Sequence, residues 1–291
     1  MSIPAEVLKK VKLLEISTRK LVNNLFTGEY HSAFKGQGMT FSEFREYVPG
    51  DDVRAISWPV TARTGKPYIK KFDEEREMTV MLAVDVSASG DYGSGPYFKG
   101  EIINHLAALL SFTAVRNNDP VGLLLFSDQV EHYVPPKKGR GQVHRILRDL
   151  YYFKPKSTKT SLNTAIEHLQ ATLKKKAHIF LFSDFIDSNF DTGLKMLGKK
   201  HDAVAVVISD PTEAAIPNIG LIDILDPETQ ELVTVDTSSP AFQKSYREKY
   251  QQTLSDREKM LRLSAVDRID VSVGEDFVTP LVRFFKQRNL R

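Results

Sequence analysis

Cysteine is absent from all 291 residues. That excludes disulfides, thiolate metal ligands and a catalytic thiol, and it fits a reducing compartment. Long apolar runs are missing too: the richest stretches, around residues 105–115 and 203–208, fall well short of the roughly 18 uninterrupted apolar residues that a membrane span needs. Glu6, Lys9, Lys10 and Lys12 break up the N-terminal stretch before it can form the apolar segment of an export signal. The expectation is a soluble, cytoplasmic protein without a membrane span. Charge of one sign is scarce, since 40 Lys and Arg against 37 Asp and Glu leave a formal +3. Any electrostatic partner must therefore be read from local clusters. No GxSxG elbow, HExxH helix or Walker loop occurs, and the seven His residues show no ligand spacing.

What is present centres on Met78–Gly90, MTVMLAVDVSASG. An apolar run of this length, bounded by turn formers, predicts a strand buried on both faces, as in a parallel sheet. In open α/β sheets, ligands bind beyond the carboxyl ends of the strands. Here that end presents Asp85, Ser87 and Ser89 at i, i+2 and i+4. A donor set made only of oxygen suits a hard cation such as Mg²⁺, with Mn²⁺ or Ca²⁺ as substitutes.

Before this strand, Val7, Val11, Leu14, Thr18, Leu21 and Leu25 recur at spacings of four and three, which predicts an amphipathic helix over residues 4–26 that ends near Gly28. Residues 30–76 are punctuated by Gly and Pro, so turns and a hairpin are expected there. Phe41, Phe44, Tyr47, Val53, Ile56, Trp58, Tyr68 and Ile69 make this segment too apolar for a free linker, and packing on the following domain is expected. The domain boundary falls after residue 76. From there, strands and helices alternate as a parallel βαβ fold requires. Strands are predicted at 78–85, 121–126, 178–184, 203–208 and 269–273, and a short edge strand at 130–134 pairs with 121–126. Helices are predicted at about 99–117, 141–152, 161–174, 189–199, 239–263 and 277–288. Two alternating runs separated by DPETQE predict an inserted hairpin over residues 219–236.

The run GQGMTFSEFREYVPGDDVRAISWPVTARTGKPYIKKFDEERE, residues 36–77, resembles the signature of the DUF58 family. It carries Gly36, Gly38, Phe41, Arg45, Tyr47, Gly50, Asp51, Asp52, Arg54, Trp58, Ala62, Arg63, Glu75 and Arg76 in the family's order. The remaining domain is similar to a von Willebrand factor A domain. The resemblance implies an α/β fold with a mostly parallel, Rossmann-like sheet flanked by helices. It also implies association with MoxR-type AAA+ ATPases or their clients.

Two further strand ends supply oxygens: Thr160 opens a helix, and Asp184 ends HIFLFSD. With Asp85, Ser87 and Ser89 they resemble the metal-ion-dependent adhesion site of A domains. Ser87 and Ser89 would bind the ion directly, Thr160 directly or through water, and Asp85 and Asp184 mainly through waters and hydrogen bonds. Such a site leaves the ion electrophilic, so a partner's carboxylate can complete its coordination. Lys159 stands where many A domains have Gly, placing a positive charge near the ion.

Residues 135–160 carry eight basic residues against one acid, Asp149. Lys137, Lys138, Arg140 and Lys159 are therefore expected to form a basic rim that attracts an acidic partner. The expected function is a non-enzymatic adaptor that holds Mg²⁺ and docks a protein carboxylate. The alternatives are a Mg²⁺-dependent phosphohydrolase and a nucleic-acid binder. The first is weakened because an aspartyl-nucleophile enzyme wants a second Asp where Ser87 stands. The second is weakened because Tyr151, Tyr152 and Phe153 are the only stacking residues in the basic segment.

Overall fold

The computed structural model describes residues 39–74, 78–91, 93, 98–187, 189–214, 216–225 and 232–290. The helix expected over residues 4–26 and the turn at 226–231 lie outside them. The chain divides into two compact units: one spans Phe34–Met78, and the other includes Thr79–Arg291.

In the first unit, β1 (Met39–Glu46) pairs antiparallel with β2 (Tyr68–Glu74), setting Arg45 opposite Ile69. A 3-10 turn at Val53–Ala55 and a short helix, α1 (Trp58–Thr64), join them. The two adjacent aspartates of the signature organise this connection. Asp51 accepts from the Val48 backbone N–H (2.9 Å) and from Arg45 (2.8 Å), and these two bonds hold its carboxyl below the usual range. Asp52 caps the turn by accepting from the Arg54 N–H (2.9 Å). α1 stops at Gly65, whose φ of 73° favours glycine. Ile69 is buried, whereas Trp58 and Val53 stay 69% and 61% exposed.

The second unit contains β3 (Val80–Asp85), α2 (Lys99–Arg116), β4 (Val121–Phe126), β5 (Val130–Lys137), α3 (Arg140–Tyr152) and α4 (Leu162–Thr172). They are followed by β6 (His178–Ser183), α5 (Asp191–Lys200), β7 (Asp202–Ser209), the hairpin of β8 (Leu221–Leu225) and β9 (Leu232–Asp236), α6 (Pro240–Leu263), β10 (Asp267–Ser272) and α7 (Val278–Asn289). The six-stranded sheet runs β10-β7-β6-β3-β4-β5. All its pairings are parallel except that of β5 with β4. This is the α/β, mostly parallel, helix-flanked architecture that the sequence implies.

The continuous apolar strands have their physical cause in this layering. β3, β4 and β6 are buried at every position. Along β3, Met81 and Ala83 join a core with Leu162, Ile166, Leu194 and Leu197 from α4 and α5. The alternate residues Val80, Leu82 and Val84 are buried as well, so both faces of the strand are covered. The chain passes from β3 to β4 on one side and later crosses from β5 to β6 on the other side of β3. Its carboxyl end is therefore a topological switch point, where a ligand site belongs.

Candidate metal centre

β3 ends at Asp85, and its pairing with β4 continues one step through the Val86 N–H to the Phe126 carbonyl (2.9 Å). The chain then turns through a short 3-10 segment, Ala88–Asp91. Gly100, at the start of α2, allows this turn to approach closely, since a Cβ there would sit 3.3 Å from the Gly90 carbonyl oxygen. The Asp85 side chain is 6% exposed. Its Oδ1 accepts from the Ser87 N–H (3.0 Å), and its Oδ2 accepts from the Ser183 hydroxyl (2.9 Å). Burial pushes the carboxyl up to about 6; bonds from Ser87 and Ser183 oppose that rise, and the charge of Asp184 adds to it. Ser87 is 4% exposed. Ser89 lies in the turn, and its side chain is outside the described residues.

The loop that carries Thr160 is held by one carboxylate. Glu131 Oε1 accepts from the N–H groups of Lys156 (3.0 Å) and Ser157 (3.2 Å), the Ser127 hydroxyl (2.8 Å) and the Gln129 amide (3.1 Å). Burial opposes its ionisation, yet these donors prevail and hold it below the usual carboxylate range. The Ser161 N–H reaches the Ser127 carbonyl (3.1 Å), and the Ala88 N–H reaches the Thr158 carbonyl (3.1 Å). These bonds tie the loop before α4 to the ends of β3 and β4. Half-buried Thr160 is thereby set at the same end of the sheet. Asp187 completes the arrangement by accepting from the Leu162 N–H (2.8 Å) at the start of α4.

Asp184 follows β6. Its Oδ1 accepts from the Ile186 N–H (3.1 Å), and its carbonyl accepts from Arg257 of α6 (2.9 Å). The next residue, Phe185, has φ 57° while only 1% exposed. A buried aromatic held in left-handed backbone stores on the order of 1–3 kcal/mol of strain, which surrounding packing must maintain. Lys99 Nζ lies 4.0 Å from Asp184 Oδ2 and forms a close ion pair with Glu213. A cavity of about 550 Å³ opens beside Asp85 and Ser87, with Phe98, Ile103, Phe153 and Lys156 among its walls.

Asp85, Ser87, Thr160 and Asp184 thus stand on three loops at one end of the sheet. The basic rim is different. Because β5 runs antiparallel, Lys137 lies level with Val121, at the amino end of β4, whereas Asp85 lies level with Phe126. Five residues of strand, roughly 17 Å, separate the two levels. Lys137, Lys138 and Arg140 therefore sit toward the opposite end of the sheet, and of the four expected rim residues only Lys159 belongs to a loop at the site. Lys156 joins it there.

Sequence reasoning passed over Ser183, Glu131, Lys99 and Glu213. Ser183 carried a signal, a hydroxyl closing an otherwise apolar strand. Lys99 and Glu213 carried none, since they stand 114 residues apart.

Among the described residues, no three His, Cys, Asp or Glu side chains gather as a metal cluster. The centre instead offers two carboxylates with hydroxyls around them, and that set fits a hard cation. Asp85 fits an outer role, because both of its oxygens already accept from protein. A buried carboxyl pushed toward neutrality is also one that a nearby cation would return to its ionised form.

The family described as "Protein of unknown function DUF58" matches residues 43–257. The uncharacterized protein Rv1480 of Mycobacterium tuberculosis is 26% identical over 281 residues, covering 96% of this chain and 88% of its own. Among solved structures, the conserved hypothetical protein BatB from Bacteroides thetaiotaomicron superposes with a TM-score of 0.51 at 14% identity, covering 74% of this chain and 100% of its own. The SpRpn10 VWA domain gives a TM-score of 0.45 at 12% identity, over 72% of this chain and 95% of its own. At these identities the likeness concerns the fold alone.

Proposed function

The chain belongs to the DUF58 family, and from that premise we propose that it is a non-enzymatic adaptor that docks a partner's carboxylate on a divalent ion. Asp85, Ser87, Ser89, Thr160 and Asp184 would hold the ion, Mg²⁺ or in its place Mn²⁺ or Ca²⁺. The partner would be a MoxR-type AAA+ ATPase or its client. When bound, the ion supplies an electrophilic centre that an incoming carboxylate completes.

The observation that carries this reading is the engagement of both Asp85 oxygens, one by the Ser87 N–H and one by the Ser183 hydroxyl. A carboxylate committed on both oxygens orients neighbours and balances charge. A phosphohydrolase with an aspartyl nucleophile wants a second Asp two residues on, and Ser87 stands there instead. Glu131 adds support, since it fixes the Lys156–Ser157 backbone and presets the loop on which Thr160 sits.

The test is binding of the full chain to a MoxR-type ATPase of the same organism in millimolar Mg²⁺ and in EDTA. Binding should be present with the ion, and lost in EDTA and in Ser87→Ala. Equal affinity in all three conditions, with Ser87→Ala folded by circular dichroism, would overturn the proposal.

A further inference from the structure

Lys99 is the first residue of α2, where a lysine ordinarily extends into water, yet it is 3% exposed. An ammonium is expensive to bury unless it is paired. Here two carboxylates flank it. Glu213 is the closer, and Asp184 Oδ2 is the more distant at 4.0 Å.

Glu213 is held firmly. It lies in the 3-10 turn Pro211–Ala214 that follows β7, and its Oε2 accepts from the Asp210 N–H (3.2 Å). Its carbonyl accepts from the Tyr246 hydroxyl of α6 (2.9 Å). Asp184 is held as firmly, by its Ile186 bond and by Arg257 from the same helix. The ammonium is thus bonded to one fixed carboxylate outside the proposed ion site and lies 4.0 Å from another that belongs to it.

We infer that Lys99 is the site's built-in rival for a divalent ion. Its charge occupies the field of Asp184, and Glu213 sets how far the ammonium is drawn away. The inference rests on the ion-site reading above and extends it by naming what sets ion affinity. Two positive centres sharing one carboxylate repel each other in a medium that screens poorly. The ion is therefore held weakly by the protein alone, and a partner's carboxylate, which adds negative charge, tips the balance toward loading. Ion and partner would bind together rather than in sequence.

The geometry gives two substitutions opposite signs. Lys99→Met removes the rival charge and should tighten Mn²⁺ binding about tenfold. Glu213→Gln releases the ammonium toward Asp184 and should weaken Mn²⁺ binding by a similar factor. Lys99→Arg keeps the charge and should stay near the parent value.

Mn²⁺ alone, titrated into the full chain by calorimetry with spin-resonance counting of free ion, reads all four proteins. Melting curves confirm that each is folded. Should Lys99→Met fail to fold, the weakening in Glu213→Gln decides alone. Tighter binding in the first variant and weaker in the second supports the inference. Ser87-dependent Mn²⁺ binding that neither variant alters overturns the inference and leaves the ion site standing. Absence of Mn²⁺ binding in every protein, Lys99→Met included, overturns both.

Discussion

Two aspartates on the same sheet, one buried and one half-buried, have opposite fates. Asp202 opens β7 at the amino end, with a side chain 17% exposed. Its Oδ2 lies 3.0 Å from His178 Nδ1 and pairs closely with the Arg288 guanidinium. Burial opposes ionisation, but those two partners overcome it and hold the carboxyl down at about 2. Asp85 closes β3 at the carboxyl end, accepts two neutral hydrogen bonds and is pushed up to about 6. Burial is common to both, so partner chemistry decides the outcome. One end of the sheet has its charge neutralised within the fold. At the other, Asp85 accepts from a backbone N–H and a hydroxyl, both neutral.

The largest expected effect comes from breaking the satisfied end. Asp202→Asn removes the negative charge that Arg288 and His178 share and should lower unfolding free energy by about 3 kcal/mol in urea at neutral pH. The sign follows from a depressed folded pKa. The stabilisation from Asp202 is complete above its unfolded value near 4 and lost as pH falls toward 2. A loss under about 1 kcal/mol would erase the contrast with Asp85.

Asp85→Asn should act in the opposite direction. A folded pKa raised to about 6 means that this group's contribution is complete below its unfolded pKa and lost as pH rises through the folded value. At pH 8 the metal-free variant should therefore be more stable than the parent by about 2 kcal/mol. On the proposed ion site, millimolar Mg²⁺ should stabilise the parent and not this variant. A metal-free Asp85→Asn protein that melts below the parent would show that the carboxylate is satisfied where it stands.

The smallest effect separates the basic residues at the two ends. Charge reversal at Lys156 and Lys159 should slow association with an acidic partner a few-fold and flatten its salt dependence, because exposed charges act before contact and are screened over about 10 Å at 0.1 M salt. The same reversal at Lys137 and Lys138 should change neither. Equal slowing by both pairs, read from rate constants at several ionic strengths, would mean that the whole basic segment faces the partner.

The layering of the fold was legible because burial on both faces leaves a continuous apolar run, as in VMLAVD and HIFLFS. The antiparallel edge strand was legible as well, from alternation in VEHYV. What linear reading missed was where that reversal carries the chain: Lys137, Lys138 and Arg140, one helix upstream of the Thr160 loop, lie toward the other end of the sheet. Asp85, Ser87 and Asp184 could be found because each directly follows or ends a legible strand. Lys99 and Glu213 could not, since their pairing is made by tertiary closure alone. In the first unit, Asp51 and Asp52 were legible only as members of the signature, while the cap that Asp52 supplies depends on turn geometry that composition does not reveal.

The central position of β3 also sets a timetable. Its neighbour β6 arrives late, with Ser183 emerging 98 residues after Asp85. At synthesis rates of about 5–20 residues per second, one edge of a strand buried at every position waits roughly 5–20 s for its partner. An unpaired apolar edge is a template for pairing with other chains. Slowing elongation between β5 and β6 should therefore lower soluble yield more than slowing it after β7, when β3 is already enclosed on both sides.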